Sequence, residues 1–256
     1  MIGEGIPSIR AVAGVASALI LALGGCARAP AVVSDDRSIT ITHHEVDSAG
    51  ARRIADRMAG ERKRVRAWWG TGFEGPVRVE ITQDQSVAMA LIPAWRGDHG
   101  KMLLPSRVVR TPTTPTLHEL VHIEAPNGNR FLAEGLAVYL QARLGDIDAY
   151  PNLGADLHEE ARAYAERADI PRFDTAATPR RIESASDLGR RPAYLIAGSF
   201  VRFLVEAHGK EKFRELYQLT PFQPGVRVFY DKERYRSVYG VGLEALAGQW
   251  RNTVAR

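Results

Sequence analysis

The feature that most constrains the fold of this chain is a pair of histidines, His118 and His122, with Glu119 directly after the first. On an α-helix, residues four apart lie one above the other, so both imidazole rings can reach a single cation. A glutamate at this position can act as a general base, and the HExxH pattern is typical of zinc-binding helices. The segment is therefore expected to be helical and to turn one face towards a metal ion.

A second carboxylate follows within reach of the same cation. Residues 126–129, Pro-Asn-Gly-Asn, form a turn cluster that should end the first helix, and 131–143 then has apolar residues at helical spacing. A short connection makes neighbouring helices antiparallel, which can bring Glu134 back over the histidine face. A catalytic zinc site has three protein ligands and a fourth position for water. We therefore interpret the two histidines and Glu134 as ligands and Glu119 as the group that takes a proton from that water.

The start of the first helix can be interpreted in two ways. Thr114 followed by Pro115 matches an N-cap with proline in the first helical position. Thr116 with Glu119 also matches a capping box, which would give Glu119 a structural role instead of a chemical one. The Thr114 start is favoured because Pro115 fits it and Glu119 is left free. The alternative for the whole motif is a pair of surface histidines on a solvated helix face.

The run His-Glu-Leu-Val-His, followed by Leu-Ala-Glu-Gly-Leu-Ala-Val-Tyr at 132–139, resembles the bacterial peptidase-MA-like domains. These are zinc metallopeptidases of the gluzincin type, with HExxH followed by a Trp-Leu-x-Glu-Gly-x-Ala-x-Tyr helix. Phe131 stands here where the family usually has tryptophan. The resemblance implies Zn²⁺ as the cofactor and four residues that serve it: His118, His122 and Glu134 as ligands, and Glu119 as general base.

The resemblance extends less specifically from about Ser38 to the C-terminus, and it includes a later helix at 193–204. In the family this helix packs near the site, so Tyr194 could supply the hydroxyl that stabilises the tetrahedral oxyanion. A partly buried aromatic residue without a chemical role is the alternative. Thermolysin-like enzymes carry an acidic residue four positions after the ligand glutamate, where this chain has Val138. The group that orients the histidine rings is therefore not identified by the sequence.

Residues 1–25 have the features of a lipoprotein signal peptide. Arg10 closes a short n-region, the apolar run at 11–23 is too short to span a bilayer comfortably, and Leu-Gly-Gly-Cys follows. This ending resembles a bacterial lipobox, which implies acylation of Cys26 and a stable membrane anchor; a small buried cysteine is the alternative. Ala27 suggests sorting to the periplasmic face of the outer membrane if the cell is Gram-negative. Residues 26–37 would then be a tether.

A basic cluster, Arg62-Lys63-Arg64 with Arg66, lies in a predicted helix at 47–69. Attraction to anionic lipid or nucleic acid is one interpretation, and a solvated helix face is the other and favoured one. The net charge of the whole chain is only +4, which is too weak to argue for a nucleic-acid partner.

The remaining patterns predict an α+β fold for a single metallopeptidase-like domain at 38–256. A small mixed sheet with a long helix should come first, a mostly helical half should follow, and the metal-binding helix should lie between them. The polar segment 169–191 is expected to be a loop that gates the cleft or simply connects helices. Strands are predicted at 38–44, 76–82 and 101–108, and helices after the site at 156–168, 193–207, 210–218 and 243–254.

Two functions remain open at this stage. The leading hypothesis is a lipid-anchored zinc peptidase that hydrolyses an envelope peptide or protein with metal-activated water. The alternative is a non-catalytic envelope lipoprotein that keeps the fold and serves as an assembly or binding module. Glu119 favours the enzyme, because a module has no use for a general base beside the metal. The substrate sequence, the exo or endo preference and the oligomeric state are not encoded in any recognisable motif.

Overall fold

The computed structural model describes residues 30–43, 47–70, 72–84, 90, 92, 98–110, 113–175, 182–223 and 233–256. Cys26, the predicted signal peptide and the first part of the predicted tether lie outside these residues. The described elements, in chain order, are β1 (Ala31–Val33), β2 (Ile39–Thr42), α1 (Ser48–Trp69), β3 (Val77–Thr82), β4 (Lys101–Pro105), α2 (Ser106–Val109), α3 (Thr116–Glu124), α4 (Arg130–Leu144), α5 (Leu157–Ala165), α6 (Ile170–Asp174), α7 (Arg190–His208), α8 (Lys210–Gln218), α9 (Glu233–Tyr239) and α10 (Leu243–Val254).

The four described strands form one mixed sheet in the order β1-β2-β3-β4. β1 pairs antiparallel with β2, whereas β2 with β3 and β3 with β4 pair in parallel. Parallel neighbours need a crossover connection, and α1 provides it between β2 and β3. Alanine and methionine side chains of α1 pack against the apolar residues of the strands, including Ile39, Ile41 and Val79. Since β1 belongs to this sheet, residues 31–33 are part of the fold and not of a free tether.

The helical half is organised around α4 and α7, which pack so closely that there is no room for a side chain at two glycine positions. A Cβ atom on Gly135 would lie 2.6 Å from the Ala197 carbonyl oxygen, and one on Gly198 would lie 2.3 Å from Val138 Cγ1. Both positions therefore require glycine. Residues 131–141 of α4 are all buried, which is typical of a helix surrounded by protein on every side.

The predicted α+β class is confirmed, with the sheet first and the helical half after it. The helices predicted from periodicity correspond to α1, α5, α7, α8 and α10, whereas three short helices, α2, α6 and α9, were not predicted. α6 lies inside the segment predicted to be a loop, where Ile170 and Phe173 are buried in the helical core. The predicted strand at 101–108 is shorter, because the chain turns into α2 after Pro105. Among the described residues, no helix is both long and apolar enough to cross a bilayer.

Candidate metal centre

The helix that carries the two histidines, α3, begins at Thr116. Pro115 occupies the cap position and makes no side-chain cap hydrogen bond, so the predicted N-cap at Thr114 is wrong by one residue. The capping box is not formed either, because Thr116 is already helical and the Glu119 N–H donates to the Pro115 carbonyl at 3.3 Å. The Thr116 hydroxyl instead donates to Glu61 Oε2 of α1 at 2.7 Å. Glu119 is therefore free of the structural role that the capping box would have given it.

α1 holds α3 at both ends through two adjacent residues. Glu61 contacts the first residue of α3, and Arg62 donates from Nε to Glu124 Oε1, on the last residue, at 2.5 Å. The Arg62–Glu124 pair is buried, with side-chain exposures of 5% and 0%. Burying the pair fixes α3 against α1, because separating the two charges would leave one of them without a partner.

Of the basic cluster of α1, only Arg62 departs from the solvated face that the sequence favoured, because Lys63 is exposed and Arg64 and Arg66 are partly exposed. Arg62 also donates to the backbone carbonyls of Ser38, Phe73 and Gly75, so that all three of its guanidinium nitrogens are bonded inside the protein. The neighbouring arginines are paired as well: Arg64 with Asp146 at 2.6 Å and Arg66 with Glu74 at 3.3 Å.

A buried polar network fixes the turn between α3 and α4. Asn129 is the N-cap of α4, where its side chain accepts the Leu132 N–H at 3.1 Å. Its amide group donates to Asp174 of α6 at 2.6 Å. Asn127 Oδ1 accepts the Asn129 N–H at 2.7 Å and the Thr220 hydroxyl at 2.9 Å. These bonds tie the turn to two distant parts of the chain and set the direction in which α4 leaves it.

The two histidines and Glu134 come together as the sequence predicted. His118 Nε2 lies 3.0 Å from Glu134 Oε2, His122 Nε2 lies 3.3 Å from the same oxygen, and the two Nε2 atoms are 3.2 Å apart. A tetrahedral zinc ion with bonds of about 2.0–2.1 Å has ligand atoms about 3.3–3.4 Å apart. The triangle therefore has nearly the size of one face of such a site, and among the described residues it is the group that could hold a metal ion.

The Glu134 carboxylate is almost completely buried, and positively charged neighbours keep it in the ionised form that a metal ligand needs. Burial acts to raise the pKa of Glu134, but the Arg130 guanidinium and then His122 outweigh it and hold that pKa well below its usual value. The group is consequently ionised at neutral pH, which is the form that binds a cation.

Glu119 stands between the histidines on α3, and its side chain is partly exposed. Burial, with a further contribution from the Glu134 charge, raises the pKa of Glu119 to about 7, and His118 opposes this shift. A pKa close to neutrality suits a group that takes up and releases a proton. A dication bound beside it would favour the ionised form.

Tyr194 of α7 lies beside the triangle and is half-buried. Its ring centroid is 6.2 Å from that of His118 and 6.2 Å from that of Tyr150, and its hydroxyl donates to Glu183 Oε1 at 3.2 Å. Burial and the Glu134 charge raise the pKa of Tyr194, so the phenol stays protonated and remains a hydrogen-bond donor. The structure thus brings the five residues predicted for the metal site together, and the chemical roles of Glu119 and Tyr194 remain predictions.

Two residues near the triangle were missed by sequence reasoning. Gln141 of α4 accepts the backbone N–H of His118 on its side-chain oxygen at 3.1 Å. Arg130 pairs with Glu134 one helical turn later, and this four-residue spacing of opposite charges was a readable signal. The group that would orient the ring of His118 is not found among the described residues. Val138 packs against α7, and His118 Nδ1 is buried without a hydrogen-bond partner in this part of the chain.

No protein-family model and no curated protein sequence matches this chain. Among solved structures, it is similar to the crystal structure of a mutant M1 zinc metallopeptidase from Deinococcus radiodurans, with 14% sequence identity and a TM-score of 0.44. The similarity covers 85% of this chain and 48% of that one, so the chain spans about half the length of that enzyme.

Proposed function

We propose that this protein is a zinc-dependent peptidase that hydrolyses peptide bonds with a metal-activated water molecule. The observation that carries the proposal is the triangle of His118 Nε2, His122 Nε2 and Glu134 Oε2, with edges of 3.0 to 3.3 Å. Two imidazole nitrogens and one carboxylate oxygen are the donor set of many catalytic zinc sites, and three ligands leave one position open.

When bound, zinc supplies a water molecule of lowered pKa and polarises the substrate carbonyl. Glu119 accepts a proton from the attacking water and passes it to the nitrogen of the breaking C–N bond, so that one water molecule is added across that bond. The protonated Tyr194 hydroxyl donates to the developing oxyanion, for which it must turn away from Glu183.

The competing function, a non-catalytic binding module, is separated from the enzyme by Glu119. We would purify the zinc-loaded full chain in detergent and measure cleavage of a diverse peptide library beside Glu119→Gln. The variant should lose cleavage and keep its zinc content, because the ligands are unchanged and only the base is removed. His118→Ala should lose both. Equal cleavage by the Glu119→Gln variant and the unmodified chain would overturn the proposal.

We further propose that Cys26 anchors the protein in the cell envelope, on the periplasmic face of the outer membrane, where its substrate would be an envelope peptide or protein. The support is the sequence of residues 1–27 alone. Cells given a labelled fatty acid should incorporate it into the unmodified protein and not into Cys26→Ser. Incorporation by both would contradict the anchor.

A further inference from the structure

The Glu134 carboxylate is divided between two sets of partners. Its Oε2 faces His118 Nε2 at 3.0 Å and His122 Nε2 at 3.3 Å. Its other oxygen, Oε1, is paired with Nη2 of Arg130, the first residue of α4. One oxygen of the ligand is thus available to the cation, and the other is held by an arginine one turn earlier on the same helix.

The Arg130 pair differs from the ordinary ion pairs of helix surfaces. Exposed pairs at this spacing contribute little, because water screens both charges. Here the glutamate side chain is 1% exposed and the arginine side chain 30% exposed. Against the effect of burial, Glu134 and then the nearby Tyr194 act to raise the pKa of Arg130, whose Nε is buried without a partner among the described residues. The guanidinium group is therefore paired with a buried carboxylate and is not spread along a solvated face.

One of the two histidines of the triangle, His118, lacks the usual support. Histidine ligands normally donate their second ring nitrogen to a carboxylate or carbonyl group, which fixes the ring orientation. His118 Nδ1 has no such partner in the described part of the chain. The glutamate side therefore has to supply more of the rigidity of the ligand set.

We propose that Arg130 is the positioning residue of the metal ligand Glu134: it holds Oε1, so that Oε2 alone faces the cation. A carboxylate that binds through one oxygen leaves the fourth position of a tetrahedral site open for water, whereas a bidentate carboxylate would occupy that position. The rigid, planar guanidinium group is suited to this, and a lysine ammonium at the same place is not. The inference rests on the metal site of the proposed function and assigns a role within it.

The experiment compares Arg130→Gln and Arg130→Lys with Arg143→Gln in the full chain, purified in detergent. Arg143 is exposed and lies on the same helix, which makes its variant a matched control. Zinc affinity is measured by competition with a chromogenic chelator. The visible spectrum of the Co²⁺-loaded protein reports coordination number, because four-coordinate Co²⁺ absorbs more strongly than five-coordinate Co²⁺. Circular dichroism of the metal-free proteins checks that each variant is folded.

Arg130→Gln should bind zinc about 10- to 100-fold more weakly, as is usual when a group behind a ligand is removed. Its Co²⁺ spectrum should lose intensity as Glu134 becomes free to bind through both oxygens, Arg130→Lys should fall between, and Arg143→Gln should match the unmodified chain. Unchanged zinc affinity and an unchanged Co²⁺ spectrum in folded Arg130→Gln would overturn this inference alone. Failure of the unmodified chain to bind zinc would overturn the proposed function with it.

Discussion

The Arg62–Glu124 pair and the Arg130–Glu134 pair have the same chemistry but differ in how fully their hydrogen-bonding capacity is used. Arg62 bonds Glu124 and three backbone carbonyls, and the second oxygen of Glu124 accepts the Phe73 N–H at 2.9 Å. In the other pair, one glutamate oxygen faces two histidine nitrogens and the arginine Nε has no partner among the described residues. A saturated pair stabilises the fold, whereas a pair with capacity left over is available to a ligand.

The largest expected effect would come from breaking the saturated pair. Arg62→Leu leaves the Glu124 charge buried and unpaired, so the free energy of unfolding of the metal-free chain should fall by about 3–5 kcal/mol. Urea denaturation measures this, with Lys63→Gln as control on the exposed side of α1. If the two variants are equally stable, the pair does not brace α3 and the comparison fails.

Gln141 should give an effect of intermediate size. Its side chain joins α4, which carries the Arg130–Glu134 pair, to α3, which carries Glu124. Gln141→Leu leaves the buried N–H of His118 without its acceptor, which should cost about 1–3 kcal/mol of unfolding free energy. A Leu variant as stable as the unmodified chain would mean that α1 alone positions α3.

The smallest effect concerns Glu61 of α1, which contacts the first residue of α3. Burial raises the pKa of Glu61 in the folded state above its usual value near 4.5, while its bonds to Thr116 and the nearby arginines oppose the shift. A carboxyl group with a raised folded pKa costs no stability below the unfolded value, where it is protonated in both states. It costs stability progressively as the pH rises from there through the folded pKa.

Glu61→Gln should therefore flatten the loss of stability as the pH rises from 4.5 through the folded pKa, because glutamine carries no charge to be buried. Thermal melting of the metal-free chain across that range measures the slope. A variant whose melting temperature follows the same pH curve as the unmodified chain would remove Glu61 from the account of pH dependence.

The parts of this structure that the sequence predicted depend on local spacing. The four-residue step from His118 to His122 fixes a helix face, and the short turn before Asn129 returns the chain towards it. The predicted ligand triangle and the helices α1, α7 and α10 follow from such patterns. These helices could be predicted because the spacing of apolar and polar residues along them is visible in the sequence, whichever elements pack against them.

What the sequence did not predict depends on partners far along the chain. The brace on α3 joins residues 55 and 62 positions apart, and neither Glu61 nor Arg62 differs in sequence from a residue on a solvated helix face. β1 is a strand because β2 pairs with it, although its three residues alone are too few to predict one. α6 is short, and its Asp174 is held by Arg234 and by Tyr235, the latter at 3.0 Å.

The glycine contact between α4 and α7 sets a limit on how this site can change. Gly135 follows the ligand Glu134 directly, and Gly198 lies one turn after Tyr194, so the two helices meet closely where the proposed chemistry occurs. Any larger side chain at either glycine would push α7 away and carry Tyr194 from the histidines. We expect laboratory selection for new substrates to leave this contact intact and to alter the connections beside it, around Tyr150 and Glu183. Sequencing the survivors of such a selection would show unchanged glycines and varied connections.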